Sequence, residues 1–270
     1  MKRQRVAVLG LGKIGGIVLD GLLKSGLPPA DAVATVRHPE RAQALSAKRP
    51  VAVGTDNRAA VRGADVILIA VKPQNVRELL EEIRSDVTPA QLLISVAASV
   101  PTGFIEDALK APIPVVRVMP NTPCQVGAGM AGICKGKHAT DAHLDVARQL
   151  FDTVGRSVVV DEKHMDAVTG LSASGPAFVY IILESLAEAG VKVGLPRDVA
   201  TILSAQTLLG AAKVALDTGD HPALLKDAVT TPAGCTIDGI LELEEGKLRV
   251  TLIKAVVKAT QRAKELMFEK

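Results

Sequence analysis

Val6-Ala7-Val8-Leu9-Gly10-Leu11-Gly12-Lys13-Ile14-Gly15 is an apolar run, a glycine-rich turn and the opening of an amphipathic segment. Four apolar residues closed by a glycine read as a short buried strand, and the residues after the turn read as a helix. Spaced Gly10-x-Gly12-x-x-Gly15, the glycines fit the dinucleotide fingerprint. Gly10 permits a tight turn, Gly12 lets a pyrophosphate approach the backbone, and Gly15 lets helix and strand pack closely. The backbone of Gly10, Leu11, Gly12, Lys13, Ile14 and Gly15 is therefore expected to hold the phosphates on the unpaired N–H groups of the helix that follows. An ordinary strand-to-helix turn has the same composition. Its place at the head of a βαβ pattern favours nucleotide binding.

That pattern extends well beyond the turn. Apolar, β-rich runs at 6–9, 32–36, 51–53, 66–71, 92–96, 115–119 and 157–160 alternate with helical segments such as 39–48 and 74–83. Strands separated by helices imply an α/β fold, a doubly wound parallel sheet covered on both faces. A Rossmann-like domain is thus expected over residues 1–162. Gly127-Ala128-Gly129-Met130-Ala131-Gly132-Ile133 could be taken for a second phosphate loop. Its glycines alternate as in a strand that approaches other backbone, and no strand-turn-helix context surrounds it.

After residue 162 only helix-like stretches remain, so residues 163–270 are expected to form an all-α domain. Pro176 reads as a helix N1 residue and Gly194 as a helix end. Further helices are expected from Pro196 to near Gly219, from about Gly234 to Glu244, and from Leu248 to the C-terminus. The one beginning at Pro196 is apolar on all sides, with Ile202, Leu203, Leu208 and Leu209 among alanines. Such a helix is buried, either against another subunit or at the centre of a monomeric bundle; the small size of the domain favours the subunit.

Composition narrows the function classes. With 48% hydrophobic and 23% charged residues the chain is globular in character, and a net charge of +3 with 2% aromatics offers nothing for nucleic acid to bind. The basic start followed by an apolar run lacks a signal peptide's features, because Lys13, Asp20 and several glycines interrupt it. The apolar stretch nearest a membrane span, Val199 to Ala212, contains Thr201, Ser204, Gln206 and Thr207. Cys124, Cys134 and Cys235 have neither even number nor metal spacing, and no hydrolase, zinc-protease or Walker motif occurs, so no metal is expected. The expectation is a cytoplasmic enzyme with a small-molecule substrate, and neither nucleic acid nor membrane as partner.

The second strand ends in Ala34-Thr35-Val36-Arg37-His38, where NAD-binding chains carry a carboxylate for the ribose 2′-hydroxyl. Arg37, helped by His38 and Arg41, suits a 2′-phosphate instead, so NADP is the expected cofactor with NAD as an alternative. Ala70-Val71-Lys72-Pro73 follows the fourth strand, on the edge of the sheet where open α/β folds bind ligands. In Arg117-Val118-Met119-Pro120-Asn121-Thr122-Pro123 two prolines stiffen a loop in which Asn121 offers donor and acceptor atoms toward the nicotinamide. Ser172-Ala173-Ser174-Gly175-Pro176-Ala177 and Thr230-Thr231-Pro232-Ala233-Gly234-Cys235-Thr236 each precede a helix, where small hydroxylic residues serve first as caps. The second also presents free N–H groups to a substrate carboxylate and the hydroxyl of Thr236.

Together, in this order, these segments resemble the pyrroline-5-carboxylate reductase family. The likeness runs over essentially the whole chain and is most specific in Val229-Thr230-Thr231-Pro232-Ala233-Gly234-Cys235-Thr236, continuing into Ile237-Asp238-Gly239-Ile240. The chain departs from the family at Ala173 and Ala233, where glycine is usual, and at Phe178, where tyrosine is. The resemblance implies NAD(P)H-dependent reduction of a cyclic imine to L-proline, with Thr231, Ala233, Gly234, Cys235 and Thr236 binding substrate and Thr236 acting on the ring nitrogen. It implies that Asn57 lies near the cofactor ribose, that Ala70, Val71, Lys72 and Pro73 wall the cofactor, and that helical domains interlock into a homodimer or a larger assembly of dimers. It also implies a site shared between the nucleotide domain of one chain and helices of its partner. Hydride transfer needs no covalent step, so Cys235 is not expected to act as a nucleophile. A related dehydrogenase or a non-enzymatic NADP sensor would share the scaffold; the intact Thr236 segment argues against both. Arg37→Ala is expected to shift the ratio of NADPH to NADH Michaelis constants toward NADH, and an unchanged ratio removes Arg37 from 2′-phosphate recognition.

Overall fold

The strand Val6–Leu9 (β1) is buried at every residue, as a strand covered on both faces must be. The computed structural model describes residues 4–266, which divide into two compact units. One runs to Ser174 and includes the chain from Lys258; the other is Gly175–Val257.

The first unit continues through α1 (Lys13–Lys24), β2 (Ala32–Thr35), α2 (Pro39–Ser46), β3 (Ala52–Gly54), α3 (Asn57–Val61), β4 (Val66–Ile69), α4 (Val76–Ile83), β5 (Leu92–Ser95) and α5 (Thr102–Leu109). It is completed by β6 (Val115–Met119), β7 (Gly129–Lys135), α6 (Asp141–Phe151), β8 (Gly155–Val159) and the single turn α7 (Met165–Val168). The sheet order is β3-β2-β1-β4-β5-β6-β7-β8, so the winding reverses between β1 and β4. Side chains alternate across the sheet: Val6, Val8, Val66 and Leu68 join Leu19 and Phe151 on one face. Ala7, Leu9, Ile67 and Ile69 join Leu80, Ile83 and Ile105 on the other. Truncating any of these fully buried aliphatics to alanine costs about 2–5 kcal/mol.

The doubly wound sheet is parallel at every ladder but one, where β6 and β7 pair antiparallel. The connection between them holds only a 3₁₀ turn, Thr122–Val126, and a parallel return requires a crossover long enough for a helix. The stretch around Gly129 and Gly132 is thus a strand, and a Cβ on Gly132 would lie 2.6 Å from Val168.

By compactness the first unit extends past residue 162, to Ser174. Met165 is fully buried and Gly170 lies so close to Thr260 that an added Cβ would sit 2.8 Å from its backbone nitrogen. Ser99 donates to the Ala263 carbonyl at 2.9 Å. These contacts tie residues 165–170 and 260–263 to the first unit. Arg117 anchors the same region: it is buried on β6, 3.5 Å from Glu162 and 3.8 Å from Asp166. Glu162 in turn accepts from the backbone N–H and hydroxyl of Thr102, at 2.7 and 2.6 Å.

The second unit contains α8 (Gly175–Lys192), α9 (Arg197–Thr218), α10 (Pro222–Ala228), α11 (Cys235–Glu245) and the first part of α12 (Leu248–Leu266). The remainder of the C-terminal helix expected to reach residue 270 lies outside the described residues. Helices α8 and α9 pair where Gly190 meets Ala200, and Arg197 bridges back to Glu188 at 2.7 Å. Only Ala200 and Ser204 of α9 are buried, whereas Ile202 and Leu216 are 67% and 63% exposed. A central position in a monomeric bundle is therefore excluded for α9. By length and composition this helix and the helical stretch Glu162–Lys192 are also apolar enough to cross a membrane. That is weak support for a span, because the core helix of a soluble protein passes the same test.

Glu162→Gln is expected to lower the unfolding free energy by about 2 kcal/mol, because it removes a charged acceptor and leaves the Arg117 charge less compensated. A urea midpoint equal to the parent's would refute the anchoring role. Asp86, bonded to Arg58 at 2.6 Å and Arg62 at 2.7 Å, ties the α3 region to the end of α4. Those two guanidiniums lower its pKa from 3.8 to about 2. A depressed carboxylate pKa adds stability that is present above 3.8 and lost as pH falls toward 2. Acid titration of Asp86→Asn should accordingly show a shallower loss of stability in that window than the parent.

Candidate active site

The reversal between β1 and β4 opens a crevice at the carboxyl ends of these strands, and Gly10 and Ala70 meet there. Gly10 has φ +96°, and an added Cβ would lie 2.9 Å from the Ala70 carbonyl group. Gly15 is more crowded, since its Cβ would be 2.4 Å from the Gly10 oxygen and 3.0 Å from Ala70 Cβ. Gly12 is the opposite case, exposed and with nothing within 4 Å of a built Cβ. It is the N-cap of α1 and supplies no side-chain cap. Two glycines thus seat the loop, while the third leaves space beside the unpaired N–H groups of a helix start. That arrangement fits a pyrophosphate.

The loop is held from below by Thr35, whose carbonyl accepts from Gly10 N at 3.1 Å and Leu11 N at 2.9 Å. The buried Thr35 hydroxyl donates to Asn57 Oδ1 at 2.6 Å, and Asn57 Nδ2 donates to Glu82 Oε2 at 2.9 Å. A cavity of about 230 Å³ adjoins this chain of bonds, with Gly10, Arg37, Asn57, Val71, Glu78 and Glu82 in its wall. A second cavity of about 380 Å³, bordered by Val6, Leu22 and Leu150, lies at the amino end of β1, away from the crevice. Arg37 and Asn57 therefore share one pocket with the turn after β1. Arg41 reaches 3.4 Å from the Leu11 carbonyl, and His38 is the exposed N-cap of α2. Lys72 and Pro73 are exposed, in the 3₁₀ turn that follows β4.

Asn121, expected near the nicotinamide, is anchored within the first unit. Its Oδ1 accepts from Met130 N at 2.9 Å and its Nδ2 donates to the Ser172 carbonyl at 3.2 Å. Both ends of the amide are thus held by the protein, with one donor hydrogen and one acceptor lone pair left over. The reason lies at Pro176. Residues 169–173 form a π-helical turn continuous with the helices on either side, in which Ser174 N reaches back to Thr169 O at 3.0 Å. Proline cannot supply the N–H that a helix would aim at the carbonyl four residues earlier, Ser172. Asn121 supplies it. Pro176 thus interrupts a running helix, and Ser172 and Ser174 are not N-caps.

The Thr230 to Thr236 segment belongs to the second unit. Gly234 N donates to the Thr231 carbonyl at 3.0 Å, and a Cβ on Gly234 would lie 2.3 Å from Thr231 Oγ1. Ala233 between them is left-handed, with φ +55°. Gly234 is the N-cap of α11 and gives no side-chain cap, which leaves Cys235 and Thr236 in the first helical turn with no helical acceptor for their N–H groups. The Gly234 N–H expected to bind substrate is already paired; those of Cys235 and Thr236 are not used by the helix. Cys235 is exposed, whereas burial raises the thiol pKa of Cys124 and takes that of Cys134 to about 12.

A pyrroline-5-carboxylate reductase of Methanosarcina acetivorans is 44% identical over 98% of this chain and 99% of its own length. The chain belongs to the pyrroline-5-carboxylate reductase family. A model described as pyrroline-5-carboxylate reductase dimerisation matches residues 162–266, and one described as NADP oxidoreductase, coenzyme F420-dependent, matches residues 5–99. The structure of a pyrroline-5-carboxylate reductase from Coxiella burnetii superposes with a TM-score of 0.92 at 35% identity, covering 98% of this chain and 99% of its own. That of the Plasmodium falciparum pyrroline carboxylate reductase with NADP bound superposes with a TM-score of 0.88 at 28% identity, covering 99% of each chain.

Within this family the departure at Ala233 has a physical cost. A left-handed alanine is disfavoured by about 1 kcal/mol relative to glycine. Ala233→Gly is expected to raise the melting temperature by about 2–4 °C, and a lowered melting temperature would show that the methyl makes compensating contacts.

Proposed function

We propose that the protein reduces 1-pyrroline-5-carboxylate to L-proline with NADPH, the last step of proline synthesis. The observation that carries this reading is that a chain of this family holds both an open pyrophosphate turn at Gly12 in its first unit and an uncapped helix start at Cys235 and Thr236 in its second. When bound, the reduced nicotinamide supplies the hydride, which the C=N carbon of the imine accepts. The chain's own residues bind, orient and exclude water. The N–H groups at the start of α11 hold the substrate carboxylate, where the helix dipole favours negative charge. The Thr236 hydroxyl hydrogen-bonds the ring nitrogen and fixes the face presented to the cofactor. A protonated cyclic imine is already electrophilic, so positioning supplies most of the rate and no protein nucleophile is called for.

The 2′-phosphate of NADP is assigned to Arg37, whose guanidinium lines the pocket beside Asn57. The exposed apolar residues of α8 and α9, among them Ile181, Ile202 and Leu216, are assigned to a homodimer interface, with dimers able to associate further. Free thiols at Cys124, Cys134 and Cys235 suit the reducing cytoplasm, which we take as the compartment.

NADPH consumption should be strictly dependent on 1-pyrroline-5-carboxylate and weak with other cyclic imines; a faster rate with another imine would replace this substrate. Loss of one hydrogen bond to a charged group costs about 1.5–3 kcal/mol, so Thr236→Ala should slow turnover at least about tenfold. Parent-like turnover would sink the role given to Thr236. Light scattering should give at least twice the 28.2 kDa of one chain, and an active monomer would overturn the interface assignment.

A further inference from the structure

We infer that Glu82 is a specificity-determining residue for the cofactor, opposing Arg37 and keeping NADH usable beside NADPH. The inference rests on the nucleotide being bound at the β1–β4 crevice as proposed above.

The end of β2 carries no carboxylate, yet the pocket beside it is not free of acid. Glu78 and Glu82, one turn apart on α4, line the same cavity as Arg37. One basic residue thus shares the pocket with two acidic ones. A 2′-phosphate carrying about −1.5 to −2 charge is attracted by the first and repelled by the second pair. A ribose 2′-hydroxyl behaves differently, because it donates to a carboxylate without repulsion, as it does to the acid of an ordinary NAD site.

Of the two acids, Glu82 is the one built into the site. Its Oε2 accepts from Asn57 Nδ2, and an ionised carboxylate only accepts. That bond fixes which way the Asn57 amide is turned, so Thr35 must donate to Asn57 Oδ1, as it does at 2.6 Å. The Thr35 carbonyl then holds Gly10 N and Leu11 N. A carboxylate on α4 is in this way bonded through two side chains to the turn that carries the pyrophosphate. Its second oxygen, Oε1, makes no bond within that chain. Glu82 is therefore held beside the ribose pocket with acceptor capacity remaining, while its charge acts against a phosphate there.

The test measures kcat/KM for NADPH and NADH, and the dissociation constants of NADP and NAD, on the full-length protein and on Glu82→Gln and Arg37→Ala. Glutamine keeps an oxygen that accepts from Asn57, so the bonded chain to the glycine turn is retained while the charge is removed. The expected result is a rise of about tenfold in the NADPH-to-NADH ratio for Glu82→Gln, made of a gain with NADPH and a loss with NADH. Arg37→Ala should move the ratio the other way. If Arg37→Ala shifts the ratio toward NADH while Glu82→Gln leaves it within twofold of the parent, or also shifts it toward NADH, the role of Glu82 is overturned and the cofactor site stands. If neither variant changes either cofactor's binding, the site itself is misassigned and the inference falls with it.

Discussion

The approach of two backbone segments at the β1–β4 crevice governs the first unit. Gly10 and Gly15 are packed against each other and against Ala70, to distances that admit no side chain at either glycine. The packing draws the start of α1 down onto the sheet, and its free N–H groups are thereby aimed over the strand ends. Because β1 and β4 are adjacent only at the reversal of the winding, this is the place in the sheet where such a turn opens into a crevice. The Thr35, Asn57 and Glu82 chain and the wall provided by Val71 follow from that seat.

The helical stretch that follows β8 shows a second kind of constraint, a defect placed and then repaired. Pro176 deprives Ser172 of its helical partner, a π turn absorbs the irregularity, and Asn121 closes the open carbonyl. Since the same asparagine also holds Met130 at the start of β7, one side chain fixes the β6–β7 connection and the π turn together. Such turns recur at functional sites because they change the direction of side chains without ending a helix.

Local pattern made most of the first unit legible. Buried parallel strands announce themselves as runs such as Val66 to Ile69, and the three glycines of the first turn are spaced by the geometry they serve. The antiparallel placement of β7 was less readable, because its direction is set by the length of the Pro120 to Ala128 connection and not by its own residues. The bond from Asn121 to an orphaned carbonyl was not legible, since nothing local tells which partner an amide will meet. Glu82 was missed altogether: an acid at helical spacing on α4 looks like a solvated face until Asn57, from a different helix, is brought beside it. The Gly234 N–H could not be known to be paired until the turn closed on Thr231. What escaped the sequence is in each case a partner chosen by tertiary contact.

The apolar surface left on α8 and α9 has a consequence for how the protein is made. Large residues such as Ile181, Ile202, Leu209 and Leu216 stand more than half exposed on the single chain, so the second unit reaches full burial only against another molecule. With the interface proposed above, its stability is coupled to association, and the folded population depends on how much protein is present. Denaturation midpoints should drift with dilution, and newly made chains would depend on meeting a partner before these faces find each other nonspecifically. In that sense abundance in the cell is itself a term in the protein's stability.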